Sequence, residues 1–246
     1  MKYFRAIRQK LVSDNKTGKY LKYAIGEIFL VVIGILIALQ INNWNEGRKN
    51  QKLRIVYKKS LIDNLVQDSV DIHDKIEKIK SDRLEIKAFE QRVADSQSPL
   101  DTILKIARFE YNFSIVNKYH YEKDTYEVLN TTGHIALFDN ELIKKLKELN
   151  ILQDRALSDN THTFESYRNN GNNYARKFPL SFGLNIISDN TKIASEVWNN
   201  ISKEEHATTF NALIISKGDA YRLSLKNLPE LSNKTNELLD RLRKQK

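Results

Sequence analysis

The sequence contains an apolar stretch of 18 residues, Ala24–Ile41, in which Glu27 and Gln40 are the polar exceptions. As an α-helix it would rise about 27 Å, close to the roughly 30 Å hydrocarbon core of a bilayer. A buried core helix and a cleaved signal peptide are the alternatives. The stretch is longer than a signal-peptide core, and no small-residue cleavage site follows it. We therefore predict an uncleaved transmembrane helix.

Aromatic residues flank the apolar stretch. Tyr20 and Tyr23 precede it, and Trp44 follows it. Rings with a polar edge are favoured where the membrane meets water. These three residues are predicted to be membrane-interface anchors.

The net charge of +9 is concentrated beside the apolar stretch. Met1–Lys22 carries seven Lys and Arg against one Asp, and Arg48–Lys59 carries six without an acid. Anionic lipid headgroups attract such flanks. Since the rest of the chain is nearly neutral, a phosphate-binding surface is disfavoured. The lipid bilayer is the predicted partner, and nucleic acid is not.

The charge pattern also suggests an orientation and a division of the chain. Lys and Arg near the stretch number four on each side, but a basic tail before a first apolar segment is typical of a signal anchor. We expect a single-pass protein of the inner membrane with a periplasmic C-terminal domain. The predicted parts are a basic tail (1–23), the transmembrane helix (24–41) and a helical domain (42–246). Within the tail, Met1–Val12 reads either as a basic helix on the membrane surface or as a frayed tail.

The segment IGEIFLVVIGILIALQINNWNE, with the residues around it, resembles the N-terminus of a family of uncharacterised single-pass membrane proteins abundant in Bacteroidetes, flavobacteria especially. A weaker resemblance covers Thr125–Leu146, TYEVLNTTGHIALFDNELIKKL. The resemblance implies an inner-membrane location and a helical domain. It implies no activity and no catalytic residue.

A seven-residue repeat follows the apolar stretch. From Arg48 to Ala94 there is no Gly or Pro, and apolar residues recur at Leu65, Ile72, Ile79, Ile86 and Val93. A companion column at Ile55, Ile62 and Ile76 is interrupted by Ser69, Arg83 and Glu90. This spacing predicts one long helix packed along a seam. The partner across the seam is either another helix of the same chain or a second chain, and the charged interruptions favour the first.

The remaining residues predict an all-α fold, an up-and-down bundle continuing from the transmembrane helix. Asp139 is a predicted N-cap, and Gly133 a left-handed residue that closes a helix. The run NNGNN at 169–173 is predicted to end or interrupt a long helix, and Pro229 to kink the last one.

One face of the transmembrane helix carries a candidate interface. At 100° per residue, Glu27, Gly34 and Ala38 lie within about 40° of one another. Small residues four apart let two membrane helices approach closely. We expect contact there with a second copy or another membrane protein. The alternative is that Glu27 reaches the headgroups and that the small residues are incidental.

No motif for catalysis or metal binding is present. The chain has no cysteine, and its histidines (His73, His120, His134, His162 and His206) lack ligand spacing. Phosphate-loop, dinucleotide and nucleophile-elbow motifs are also absent. We predict no metal, no cofactor and no catalytic residue. The favoured hypothesis is a protein-interaction or scaffold component; a ligand-sensing module and an enzyme of unrecognised type are the alternatives.

Overall fold

The computed structural model describes residues 17–116, 120–180, 186, 187 and 191–244. The helices are α1 (Thr17–Ala94), α2 (Pro99–Phe109), α3 (Asp124–Thr131), α4 (Asn140–Lys177), α5 (Lys192–Asn199) and α6 (Lys203–Lys244). A short 3₁₀ helix, His134–Leu137, lies between α3 and α4. No strand occurs among the described residues, so the predicted all-α class is confirmed. The segment Met1–Val12 lies outside the described residues.

The chain divides into two compact units between Val56 and Tyr57. In the first unit the described residues form a single helix, the N-terminal part of α1. The second unit contains the rest of α1 and all the other described helices. It is a helical bundle, in agreement with the predicted fold class, and the predicted division of the chain at residues 23 and 41 stays a prediction.

The first three residues of the seven-residue column of α1 pack inside the bundle. Leu65, Ile72 and Ile79 are buried in the main apolar cluster, together with residues of α4 and α6 such as Leu142 and Leu228. The seam is therefore used within the chain. A second apolar cluster is built around Ile106, Tyr174 and Phe210 and joins α2, α4, α5 and α6.

Side-chain contacts fix the directions of the long helices. Along α4 and α6, Lys145 pairs with Glu237, Asn227 donates to Asp159 at 2.9 Å, and Lys177 pairs with Glu205 at 2.8 Å. Residue numbers rise on one helix as they fall on the other, so the two helices are antiparallel. On α1, Ser69 donates to Asn236 and Asp82 accepts from Tyr221, so α6 is antiparallel to α1 as well. α1 and α4 therefore run in the same direction, and the connection that contains α2 and α3 returns the chain between them.

The run NNGNN does not end α4, and this prediction is wrong. The helix continues through Gly171 to Lys177. Tyr167 and Tyr174, on either side of the run, are buried in the second cluster, and this burial outweighs the weak helix propensity of Asn and Gly. Leu213 Cδ1 would lie 3.9 Å from a Cβ at position 171, so the glycine faces α6 in ordinary contact.

The two predicted local signals around the start of α4 are confirmed. Asp139 is the N-cap, and its side chain accepts from the backbone N–H of Leu142 at 2.9 Å. Gly133 has φ 74°, the left-handed conformation that glycine adopts without strain. Pro229 lies inside α6, and the kink there stays a prediction.

Candidate functional site

The apolar stretch of α1 is uncovered. None of its most apolar 18-residue window is buried, and Leu30 and Leu36 are 63% and 55% exposed. A core helix of a soluble domain buries such residues, so this exposure is evidence against that alternative. Within the described part of the chain, α1 is the one helix long and apolar enough to cross a membrane.

The predicted interface residues lie on this uncovered segment. Gly34 and Ala38 are exposed, one turn apart, and Glu27 is half-buried. A Cβ built at Gly34 meets no atom within 4 Å. The bundle therefore does not require these small side chains, and their role as a contact face stays a prediction.

The predicted interface anchors lie at both ends of the stretch. Tyr20 and Tyr23 lie near the start of α1. Trp44 is 68% exposed, and the guanidinium carbon of Arg48 lies 5.3 Å from its ring centroid. A ring with a cation stacked on it suits the headgroup layer, since it offers an apolar face and a positive charge together.

A buried lysine lies inside the bundle. Lys217 of α6 is 1% exposed, and its ammonium donates to the carbonyl of Asn112 at 2.8 Å. Oδ2 of Asp82 lies 3.5 Å away, and the Tyr111 ring centroid lies 4.8 Å away. Burial lowers the pKa of Lys217, and Asp82 opposes that shift. Because the ammonium is enclosed and fully partnered, it holds the segment after α2 in place and offers no reactive group to solvent.

Three tyrosines extend this polar cluster. Tyr221 donates to Asp82 at 2.5 Å, Tyr167 donates to the carbonyl of Phe113 at 2.8 Å, and the hydroxyls of Tyr111 and Tyr167 lie 3.2 Å apart. Burial raises the pKa of Tyr167 to about 12, so the phenol stays neutral. α1, α4 and α6 thus each contribute polar groups to the cluster around the non-helical chain that follows α2.

A buried carboxylate fixes the other end of the same connection. Asp68 of α1 is 1% exposed, accepts from the backbone N–H of Glu122 at 2.9 Å, and accepts from Nε2 of Gln153 at 2.9 Å. Burial raises the pKa of Asp68, and the bond from Glu122 opposes that shift. The connection between α2 and α3 is therefore held at both ends by buried polar side chains.

His206 lies in an aromatic cluster. It is 1% exposed, its Nε2 lies 2.9 Å from the Tyr174 hydroxyl, and its ring packs against Phe178 and Phe210. Burial, with the nearby positive charge of Arg108, lowers the pKa of His206 to about 4. The imidazole is therefore neutral at pH 7 and acts as part of the core.

The histidines do not form a metal centre. Nδ1 of His134 lies 3.0 Å from both the Tyr57 and Thr132 hydroxyls, and His120 lies 3.5 Å from Glu122. Across the described ranges, no group of three or more His, Cys, Asp and Glu residues could hold an ion.

Sequence reasoning missed the buried polar groups Lys217, Asp68 and His206. Their signal is positional, because each lies on the apolar side of its helix, Lys217 among Leu213, Ala220 and Tyr221. A charged residue at such a position is either solvated at the edge of the core or paired inside it, and the sequence does not distinguish the two.

One family model matches part of the chain. Residues 27–140 match the model of a family of unknown function, DUF6090. No curated protein and no solved structure matches the chain. The match begins inside the apolar stretch and ends at the start of α4, which agrees with the resemblance to an uncharacterised family and adds no activity.

Proposed function

We propose that this protein is a single-pass protein of the inner membrane whose helical bundle lies on the periplasmic side and acts by binding other proteins. The observation that carries the proposal is the uncovered apolar stretch, Ala24–Ile41. Eleven large apolar side chains of the stretch are exposed. Leaving them in water is strongly unfavourable, at about 25 cal/mol per Å² of exposed apolar surface. A bilayer removes that cost.

The flanks of the stretch support the membrane location. The exposed Trp44 and the cationic run that begins at Arg48 are placed where the headgroups would lie. The basic tail before the stretch favours a cytoplasmic N-terminus. The buried polar groups of the bundle bind its own backbone, which favours a role through its surface.

We further propose that two copies associate in the membrane through the face formed by Glu27, Gly34 and Ala38. Gly34 and Ala38 are exposed and lie at the four-residue spacing that permits close approach of two helices. A carboxyl group on the same face is less costly in a helix contact than against lipid.

Membrane flotation and carbonate extraction test the membrane proposal. Wild-type protein should float with membranes and resist extraction at high pH. The double variant Leu30→Lys/Leu36→Lys should be lost from the membrane, because each lysine costs about 3 kcal/mol at the bilayer centre. Ile55→Lys is the matched control, since Ile55 is 61% exposed but lies outside the stretch, and it should behave as wild type. Wild-type protein recovered in the soluble fraction would overturn the proposal.

A further inference from the structure

A groove runs along the seam between α1 and α6 in the second unit. Two neighbouring clefts form it, and Ile86 and Glu90 line both. Its α1 wall extends from Lys80 to Val93 and its α6 wall from Ala207 to Gly218, and Ile103 and Ile106 of α2 also line the cleft that contains Val93. At 1.5 Å per residue the walls are about 20 Å and 16 Å long, the length of a helix of three to four turns. We call this surface the α1–α6 groove.

The floor of the groove is apolar. Ile86, Phe89 and Val93 of α1 are half-buried against the second apolar cluster, as is Ile214 of α6. Leu84, at the rim, is 70% exposed. Half-buried apolar side chains along a helix-length channel are the surface against which an amphipathic helix packs.

Gly218 leaves the α6 side of the groove without a side chain at this position. It lies inside α6 without a positive φ, so its backbone does not require glycine. A Cβ built there meets no atom within 4 Å, so packing does not require glycine either. Glycine inside a helix costs about 1 kcal/mol relative to alanine. Neither the backbone nor the packing of α6 explains this cost at position 218. We infer that the space left by the missing side chain is used.

The charged residues at the rim of the groove indicate the charge of its occupant. Arg83 and Lys87 lie one turn apart on α1 and line the groove, and neither has an ion pair within the described part of the chain. Lys80 adds a third cation, which pairs with Glu77, and Glu90 is acidic. The α6 wall contributes the uncharged Asn211 and Gly218. The rim is therefore cationic on one side and neutral on the other.

We propose that the α1–α6 groove binds an amphipathic helix of a partner protein, with its apolar face on the floor and acidic residues against Arg83 and Lys87. This rests on the proposed function and names the chemistry of the partner. A second copy is a poorer fit, because two chains that met through this surface of α1 would bring the positive charges of Arg83 and Lys87 from both chains together. A small molecule is also a poorer fit. The clefts have volumes of about 340 and 540 Å³, within the range of ligand sites, but they are open along the seam, and their charged side chains all lie on the α1 side.

Synthetic peptides test this proposal. The probe is a fluorescent 14-residue helix with leucines on one face and glutamates on its flanks. One control peptide has lysines in place of the glutamates, and another has the same composition with the leucine spacing scrambled. Binding to the full chain in zwitterionic lipid nanodiscs is measured by anisotropy, with empty nanodiscs as the baseline. Only the acidic, correctly spaced peptide should bind.

Variants locate the binding on the groove. Gly218→Trp should fill the groove and weaken binding by about tenfold or more, and Gly218→Ala, which places a single methyl group in the same space, should weaken it by a smaller factor of about two to three. Arg83→Glu/Lys87→Glu should weaken binding of the acidic peptide and strengthen binding of the lysine peptide. Leu84→Asp, at an exposed position, should also weaken binding by about tenfold, and it keeps the test valid if Gly218→Trp does not fold.

The proposal would be overturned if the acidic peptide did not bind, if the scrambled peptide bound equally well, or if Gly218→Trp and Leu84→Asp bound the peptide fully. It would also be overturned if the chain dimerised and Gly218→Trp abolished the dimer, because a second copy would then be the occupant. The groove variants should still float with membranes. Failed peptide binding with normal flotation would remove the groove proposal alone, and failed flotation of wild type would remove the membrane proposal alone.

Discussion

The ammonium nitrogen of Lys217 lies 3.5 Å from Oδ2 of Asp82, and the lysine side chain is almost wholly enclosed by the bundle. The pair connects α6 to α1, and the Tyr221 hydroxyl donates to the same carboxylate oxygen. An enclosed charge is stable only while its partner is present, because the bundle interior solvates it poorly. The pair is therefore more informative about the packing of the bundle than any exposed ion pair.

Removing both partners of this pair should cost less than the sum of removing each one alone. Asp82→Asn leaves a buried ammonium and should lower the free energy of unfolding by about 3 kcal/mol, and Lys217→Met by about 2 kcal/mol. The double variant should lose less than the sum of the two. Urea unfolding of the full chain in mild detergent, followed by circular dichroism, measures this. Asp219→Asn, in the exposed pair with Arg222, is the control and should cost under about 0.5 kcal/mol. Additive losses at Asp82 and Lys217 would mean that the two charges do not interact.

The bundle should lose stability in mild acid because of His206. Its pKa is about 4 in the folded chain, below the ordinary value of 6.5, so the unfolded chain binds the proton more tightly between these values. Stability is complete above about pH 6.5 and falls as the pH is lowered towards 4, by up to about 3 kcal/mol. His206→Gln should flatten this part of the pH profile, and His162→Gln, at an exposed position of α4, should not. An unchanged slope in His206→Gln would contradict the assignment.

Asp68 should hold the chain before α3 in place. Asp68→Ala removes the acceptor of the Glu122 N–H and of the Gln153 side chain. The expected loss is about 2 kcal/mol, with at least about tenfold faster hydrogen exchange at the Glu122 amide. The exposed Asp74→Ala is the matched control on the same helix. Unchanged exchange at Glu122 would show that the bond contributes little.

Gly34→Ile should weaken self-association in the membrane. The larger side chain would separate two helices that meet at Gly34 and Ala38, without a clash inside the chain. Gly26→Ile is the matched control, because position 26 is equally open but lies about 80° around the helix from Gly34. A membrane two-hybrid assay should show reduced signal for the first variant and not for the second. Equal signals would remove this face as the contact.

Hydrophobic periodicity predicted the helices well. Residues that cap or break helices predicted some helix ends correctly and others wrongly. The seven-residue column of α1 and the Asp139 cap are local signals with one dominant cause, so they could be identified from the sequence. The continuation of α4 through Gly171 depends on burial of Tyr167 and Tyr174 against other helices, which no local rule contains. The prediction failed there because tertiary packing outweighed propensity.

The candidate sites divide in the same way. The apolar stretch could be identified from the sequence alone, because its length and its apolar composition are local properties of consecutive residues. The enclosed Lys217 and the α1–α6 groove depend on which residues of two distant helices face one another, such as Ile86 and Ile214. That pairing requires the fold, so the sequence could not predict it.

Cysteine accessibility most directly tests the claim that Ala24–Ile41 crosses the membrane. The chain has no native cysteine, so single substitutions report their own positions. Gly47→Cys should react with a membrane-impermeant maleimide in spheroplasts, Gly18→Cys should react only after lysis, and Leu36→Cys should react in neither case. Reaction of Leu36→Cys, or equal reaction at positions 18 and 47 before lysis, would contradict the account; the reverse pattern at positions 18 and 47 would keep the span and invert its orientation.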